Sequence, residues 1–297
     1  MIKKSVIAGS FYPANKSHLE KVLKKKFNVA ERQEELFERE TLLSSKARVC
    51  NKTPFAIVVP HAGYVYSGQT AANVYNLISM HFFKKAIILA PLHRGVCNFD
   101  FHIGNYDAYE TPMGLLYTNK KDKATLLSKP GFGSNEGIDK TEHSLEVHLP
   151  FLSYLYPKIE IVPILFCNQN IHNAEILSNY IHELMEPETI LIISTDLSHF
   201  YDSITAELMD KELIEYFKIN DIDTFYNLIK KRKIEACGYG GLLSLMYLNK
   251  KYKDISISRT YYSHSGEVSH DTKRVVGYFS CVISASNYQI IIDTYNT

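Results

Sequence analysis

Short apolar runs punctuate the chain at Phe55–Val59, Lys85–Ala90, Ile159–Cys167 and Thr189–Ile193. A strand exposed on one face alternates apolar with polar residues. Runs that do not alternate read as strands buried on both faces of a covered, mostly parallel sheet. Pro163 inside the third run points to an edge or a bulge there. Between the runs the period lengthens to that of a helix. Ser17-His-Leu-Glu20 has the spacing of a capping box, with Leu19, Val22, Leu23 and Phe27 following on one face. Helical periods recur from Ser67 to Ile78, Asn173 to Met185, Glu207 to Phe217, Asp221 to Lys231 and Leu242 to Leu248, with a short one from Asp122 to Leu127. Strand, helix and strand in succession imply right-handed crossovers in an α/β fold.

Other segments carry weaker patterns. Val6 to Pro13 reads as an extended lead-in, and residues 30–53 as a charged surface insertion. Gly95 to Leu116 is irregular, with Ala108-Tyr-Glu-Thr-Pro-Met-Gly114 resembling a loop that wraps a site. Asp139 to Leu155 has helical character, kinked at Pro150, with Leu145, Leu149, Leu152 and Leu155 facing a core. That reading puts Glu142 and Glu146 on one face, where two like charges repel unless a cation intervenes. Ser256 to His264, Val275 to Ser284 and Tyr288 to Ile292 read as antiparallel strands. No internal repeat or domain boundary stands out.

Composition narrows the function. With 33 basic and 32 acidic residues among 297, nothing favours bulk attraction to nucleic acid or to an anionic membrane. The five cysteines show no CxxC or repeated spacing, which fits reduced thiols of a cytoplasmic protein better than a disulfide framework. The first residues lack the sustained apolar core of a signal peptide, and no stretch has the length of a membrane span.

The candidate chemistry lies where the apolar runs stop. His61, His93, and the pair Asp196 and His199 each follow a strand, and ligands of open α/β sheets bind outside the carboxyl ends of the strands. Three strands delivering imidazoles to one rim is how a metal site is assembled from distant segments. Cys237 sits in a glycine-rich turn before a helix, where N–H dipoles favour the thiolate that attacks or ligates. Beside His61 and His93 it completes a set of two imidazoles and a thiol. Tyr64 and three further tyrosines fall near the proposed rim, where packing competes with hydrogen bonding to a ligand. His143 and His148 are five residues apart, so they do not form the paired ligands of a zincin helix.

Six segments, in order, carry a resemblance: Ala8-Gly-Ser-Phe-Tyr-Pro13, Val59-Pro-His-Ala-Gly-Tyr-Val-Tyr-Ser-Gly68, Leu89-Ala-Pro-Leu-His93, Glu142-His-Ser-Leu-Glu-Val-His-Leu-Pro150, Ser194-Thr-Asp-Leu-Ser-His199 and Ala236-Cys-Gly238. On them the chain resembles the Memo family, whose prokaryotic members are labelled AmmeMemoRadiSam system protein B. That family is similar in fold to class III extradiol dioxygenases. The resemblance implies a single α/β domain over residues 1–297, with a central mixed, mostly parallel sheet and helices on both faces. It also implies metal ligands at His61, His93 and Cys237, and places His199 where the dioxygenases have their catalytic acid/base.

The chain departs from the dioxygenases in having a thiol in place of their glutamate ligand. A thiolate is the softer donor, so ring cleavage does not carry over. Iron or copper is the implied metal, with zinc as an alternative. Leu92 and Arg94 stand where relatives often have Ser and a second His, and Arg94 adds positive charge beside the site. Asp196 is placed to orient an imidazole or anchor its loop, while Glu142 and His143 are candidate pocket residues. The expected function is a metal-dependent oxidoreductase or redox protein acting on a small molecule or peptide. The alternative is a non-catalytic module binding a metal or a phosphopeptide, with a protein partner. A hydrolase using Cys237 and His199 ranks last, since it leaves His61 and His93 without roles.

Overall fold

The computed structural model describes residues 1–43, 53–252 and 254–286. Strand β1 (Ile2–Lys3) leads into helix α1 (Lys16–Leu43), β2 (Thr53–Val59), α2 (Gly68–Ile78) and β3 (Lys85–Pro91). Short strands β4 (Phe101–His102), β5 (Ala108–Thr111) and β6 (Gly114–Tyr117) precede α3 (Lys120–Leu127), β7 (Phe132–Gly133), α4 (Glu136–Asp139) and α5 (Leu149–Leu155). Then come β8 (Glu160–Phe166), α6 (Ile171–Leu184), β9 (Thr189–Ser194) and β10 (His199–Tyr201). The chain continues through α7 (Ser203–Ile219), α8 (Ile222–Lys230), α9 (Tyr239–Asn249), β11 (Ser256–His264), α10 (Gly266–Ser269) and β12 (Val275–Ala285).

The large sheet runs β10-β12-β2-β9-β3-β8-β4-β7, with β11 also paired to β12. Its four central strands, β2, β9, β3 and β8, are mutually parallel, so their carboxyl ends share one rim. β12 returns antiparallel along β2, which makes the sheet mixed. Successive residues of the central strands face opposite layers. Ile57, Val59, Ile88 and Ile192 pack with Leu19, Leu23, Tyr75 and Phe151 of α1, α2 and α5. Val58, Ile87, Leu89 and Ile193 pack with Leu177, Leu213, Phe225 and Leu245 of α6 to α9. Helices thus cover both faces, as the unalternating apolar runs require, and each fully buried Ile or Leu stabilises by about 1.5–3 kcal/mol. Among the described residues, no helix is long and apolar enough to cross a membrane.

Several local expectations are corrected. Ala108 to Gly114 is part of a hairpin, with β6 antiparallel to β5 and β1 on the far side of β5, rather than a loop over the site. Asp139 to Leu155 is not one kinked helix: α4 ends at Asp139, and α5 begins at Leu149 with Pro150 in its first turn, where the missing N–H costs nothing. Glu142 and Glu146 therefore do not share a helix face. Val6 to Pro13 folds back on itself, Gly9 taking a φ of +89° and donating its N–H to the Tyr12 carbonyl. Much of the charged segment continues α1. Residues 44–52, including Cys50, and the strand expected at Tyr288 to Ile292 lie outside the described residues.

Pro163 is opposite Ile88 of β3. On its other side it falls between the bridge at Ile161 and the β4 pairing at Leu165, so β8 is no edge strand. Cys97 and Cys167 form a disulfide across 70 residues with Cα atoms 6.1 Å apart, against the expectation that every thiol is reduced.

Candidate metal centre

Val59 at the end of β2 lies opposite Ser194 at the end of β9. His61 and Asp196, each two residues farther on, therefore emerge side by side. The His61 N–H donates to Asp196 Oδ1 at 2.8 Å, and His61 Nε2 lies 3.9 Å from Asp196 Oδ2. The His61 ring is buried, with Nδ1 2.7 Å from Ser194 Oγ and Nε2 3.3 Å from Cys237 Sγ.

Cys237 is delivered from the turn before α9. Its N–H donates to the Asp196 carbonyl at 3.1 Å, while the Asp196 N–H donates back to Sγ at 3.1 Å. The turn packs so closely on the end of β9 that a Cβ on Gly238 would overlap the Ser194 carbonyl and lie 2.9 Å from Thr195 Cβ. Only glycine fits there.

His93 completes the cluster from the loop after β3, its ring centroid 5.0 Å from that of His61. One donor atom from each of His61, His93 and Cys237 can be chosen so that all lie within 4.8 Å of one another. His93 Nδ1 is 3.1 Å from Glu142 Oε1, and the His93 N–H donates to the other oxygen of the same carboxylate. Glu142 also accepts the N–H groups of His143 at 2.8 Å and Ser144 at 2.9 Å. The His143 ring stacks on His93 with centroids 4.9 Å apart. His93, Glu142 and His143 form a second group within 4.8 Å, in which the carboxylate is already surrounded by donors.

Burial dominates the electrostatics. It pushes the Cys237 thiol well above its ordinary value, helped by the nearby Asp196 charge and opposed by hydrogen bonds from the Asp196 and Gly238 backbone and Thr195. The N–H groups expected at this turn do favour the thiolate, and desolvation of the buried sulfur opposes them. Burial and the neighbouring imidazoles hold His61 well below its ordinary value, and burial pushes Asp196 up to about 6. Burial also works against the Glu142 carboxylate, but hydrogen bonds from His93 and from the Ser144 backbone win and hold it at about 2. Burial lowers His143, with the charges of His93 and Arg94 acting the same way and Glu142 opposing.

His199 opens β10, half-buried, and lines a cavity of about 280 Å³ together with Leu197, Arg232, Glu235 and Cys237. The cavity therefore joins the candidate acid/base to the thiol. Arg94 is exposed on the His93 loop. Tyr64 is buried and donates its hydroxyl to the Val147 carbonyl at 2.8 Å, a packing role in place of a ligand contact.

Sequence reasoning missed Ser194 and Ser144, and it paired Glu146 with Glu142 where the structure gives Glu146 different partners. Ser194 gives no signal beyond its place at a strand end. Glu146, between Leu145 and Val147, accepts from Ser5, Tyr12, Lys3 and the N–H groups of Val6 and Ile7, anchoring the first segment of the chain.

The chain matches the family described as Memo-like protein over residues 3–282. It is 34% identical over 284 residues to a MEMO1 family protein of Thermoplasma volcanium, covering 95% of this chain and 98% of that protein. It is 31% identical over 285 residues to a MEMO1 family protein of Nitrosopumilus maritimus, covering 94% and 98%. Among solved structures, an uncharacterized protein of Escherichia coli K12 aligns with a TM-score of 0.46 at 11% identity, over 76% of this chain and 99% of that one.

Proposed function

This chain belongs to the Memo family, and from that premise we propose that His61, His93 and Cys237 hold one transition-metal ion in a redox protein or oxidoreductase. The observation that carries the reading is the convergence of these three donors, separated widely in sequence, within 4.8 Å. The donor set suits a soft or borderline ion, with iron or copper as the redox-active choices and zinc as the alternative. Glu142 behind His93 is the carboxylate partner expected of a metal-bound imidazole.

Three protein ligands leave a coordination position open, and a bound ion would supply Lewis-acid or electron-transfer chemistry there. The surrounding residues have separable tasks. Cys237 reaches the cavity and the buried His61 from one side. His199 borders the same cavity, where its imidazole can take or return a proton from a bound small molecule. Asp196 holds the His61 backbone N–H and, through its own main chain, both the N–H and the sulfur of Cys237, so it fixes their relative placement. Arg232 on the cavity wall favours a ligand with an anionic group, a small molecule or a phosphorylated peptide. That residue also supports the second reading, a binding module without turnover.

Metal content and oxygen consumption separate the two. Catalysis predicts stoichiometric metal in both wild type and His199→Ala, with oxygen consumption lost only in the variant. Metal retained in both, with no turnover on phenols or thiols, favours the binding module. Unchanged metal content in Cys237→Ala removes the thiol from the site.

A further inference from the structure

Ser194 closes β9 with a buried hydroxyl that has three partners: the Ser144 carbonyl at 2.7 Å, His61 Nδ1 at 2.7 Å and His148 Nε2 at 2.8 Å. A hydroxyl has one proton to give and two lone pairs to accept with. A carbonyl cannot donate, so Ser194 spends its proton on Ser144. Both imidazole nitrogens must then be donors. A neutral imidazole carries a single N–H, which makes His61 the Nδ1–H tautomer and His148 the Nε2–H tautomer. His61 Nε2, 3.3 Å from Cys237 Sγ, is left with its lone pair.

A separate observation agrees. His148 Nδ1 is buried and has no hydrogen-bond partner among the described residues. A stranded lone pair there is more tolerable than a stranded N–H. The same backbone unit also serves the other histidine: the Ser144 N–H donates to Glu142, the acceptor of His93, and its hydroxyl ties to the Pro91 carbonyl at the end of β3.

We propose that Ser194 is a positioning residue that fixes His61 in the Nδ1–H tautomer, so that Nε2 is presented to the metal with no tautomer change, and that His148 and the Ser144 carbonyl lock the hydroxyl in this task. The inference rests on the metal-site reading above.

Long-range 1H–15N correlation spectra of the metal-free protein read the tautomer, with His61 signals assigned by comparison with His61→Gln. The wild type is expected to show His61 protonated at Nδ1, and Ser194→Ala a mixture of tautomers. Zn2+ affinity, measured by competition with a chromophoric chelator, should weaken by about tenfold or more in Ser194→Ala. Ser194→Thr, which keeps the hydroxyl, should restore both. His61 protonated at Nε2 in the wild type overturns the inference, whether or not the variants fold. Cys237→Ala distinguishes the two readings. If it abolishes tight Zn2+ binding while Ser194→Ala changes neither tautomer nor affinity, the Ser194 role fails and the metal site stands. If Cys237→Ala binds Zn2+ as the wild type does, the metal reading fails, and the spectra alone decide the tautomer.

Discussion

Glu142 touches His93 through both its ring and its backbone, so one carboxylate sets the rotation of the imidazole and the position of its loop. Glu142→Gln keeps an acceptor but loses the charge, and Zn2+ affinity is expected to fall about tenfold by chelator competition. The same residue fixes a pH limb. With the folded value at about 2, below the ordinary carboxyl value, its stabilisation is complete above that ordinary range and is lost as pH falls toward 2. Denaturant unfolding of the metal-free protein should show this acid limb shallower in Glu142→Gln. Asp210 has the opposite sign. It is buried among the Ser198 N–H and the Tyr262 hydroxyl, and burial pushes it from 3.8 up to about 6. Between those values the folded protein keeps a proton that the unfolded chain has released, so this group costs stability as pH rises through the window. Asp210→Asn should flatten the dependence from about pH 4 to 6, and a variant with the wild-type slope contradicts the assignment.

The turn between Cys237 and α9 is where element geometry governs the chemistry. A methyl on Gly238 meets the Ser194 carbonyl and Thr195, both main supports of the β9 end, so Gly238→Ala must push the Cys237 turn away from His61. The expected outcome is destabilisation of about 1–3 kcal/mol, as for other overpacked core positions, with weakened Zn2+ binding. Wild-type affinity and melting temperature in this variant would show that the turn is free to move. The elements differed in how far the sequence announced them. β2, β3, β8 and β9 were readable because burial on both faces leaves a continuous apolar run, and His61 and His93 followed as the first polar groups beyond β2 and β3, with Asp196 two residues beyond β9. Asp139 to Leu155 misled because the His143 and Ser144 N–H groups turn onto the Glu142 carboxylate, while Glu142 itself binds His93 and the Ser144 hydroxyl binds the Pro91 carbonyl of β3, contacts that no local period encodes. Cys97 and Cys167 meet because β8 pairs beside β3, a proximity invisible to spacing alone.

Across the whole molecule, the parallel core of β2, β9, β3 and β8 aligns the ends of four strands along one rim, and the turn before α9 adds Cys237. The helical layers on both faces bury the sheet, so the rim is the place where polar side chains converge. In the metal-free protein the thiol and His61 are both desolvated, and an ion that binds them stabilises the folded chain by mass action. The melting temperature should therefore rise with added Zn2+ in the wild type and stay flat in Cys237→Ala. X-ray absorption of the metal-loaded protein tests the shared coordination most directly. One sulfur at about 2.3 Å and two imidazole nitrogens at about 2.0–2.1 Å from zinc are expected, with the sulfur shell absent in Cys237→Ala. A wild-type spectrum with no sulfur neighbour, or one unchanged by that substitution, would contradict a metal held by His61, His93 and Cys237.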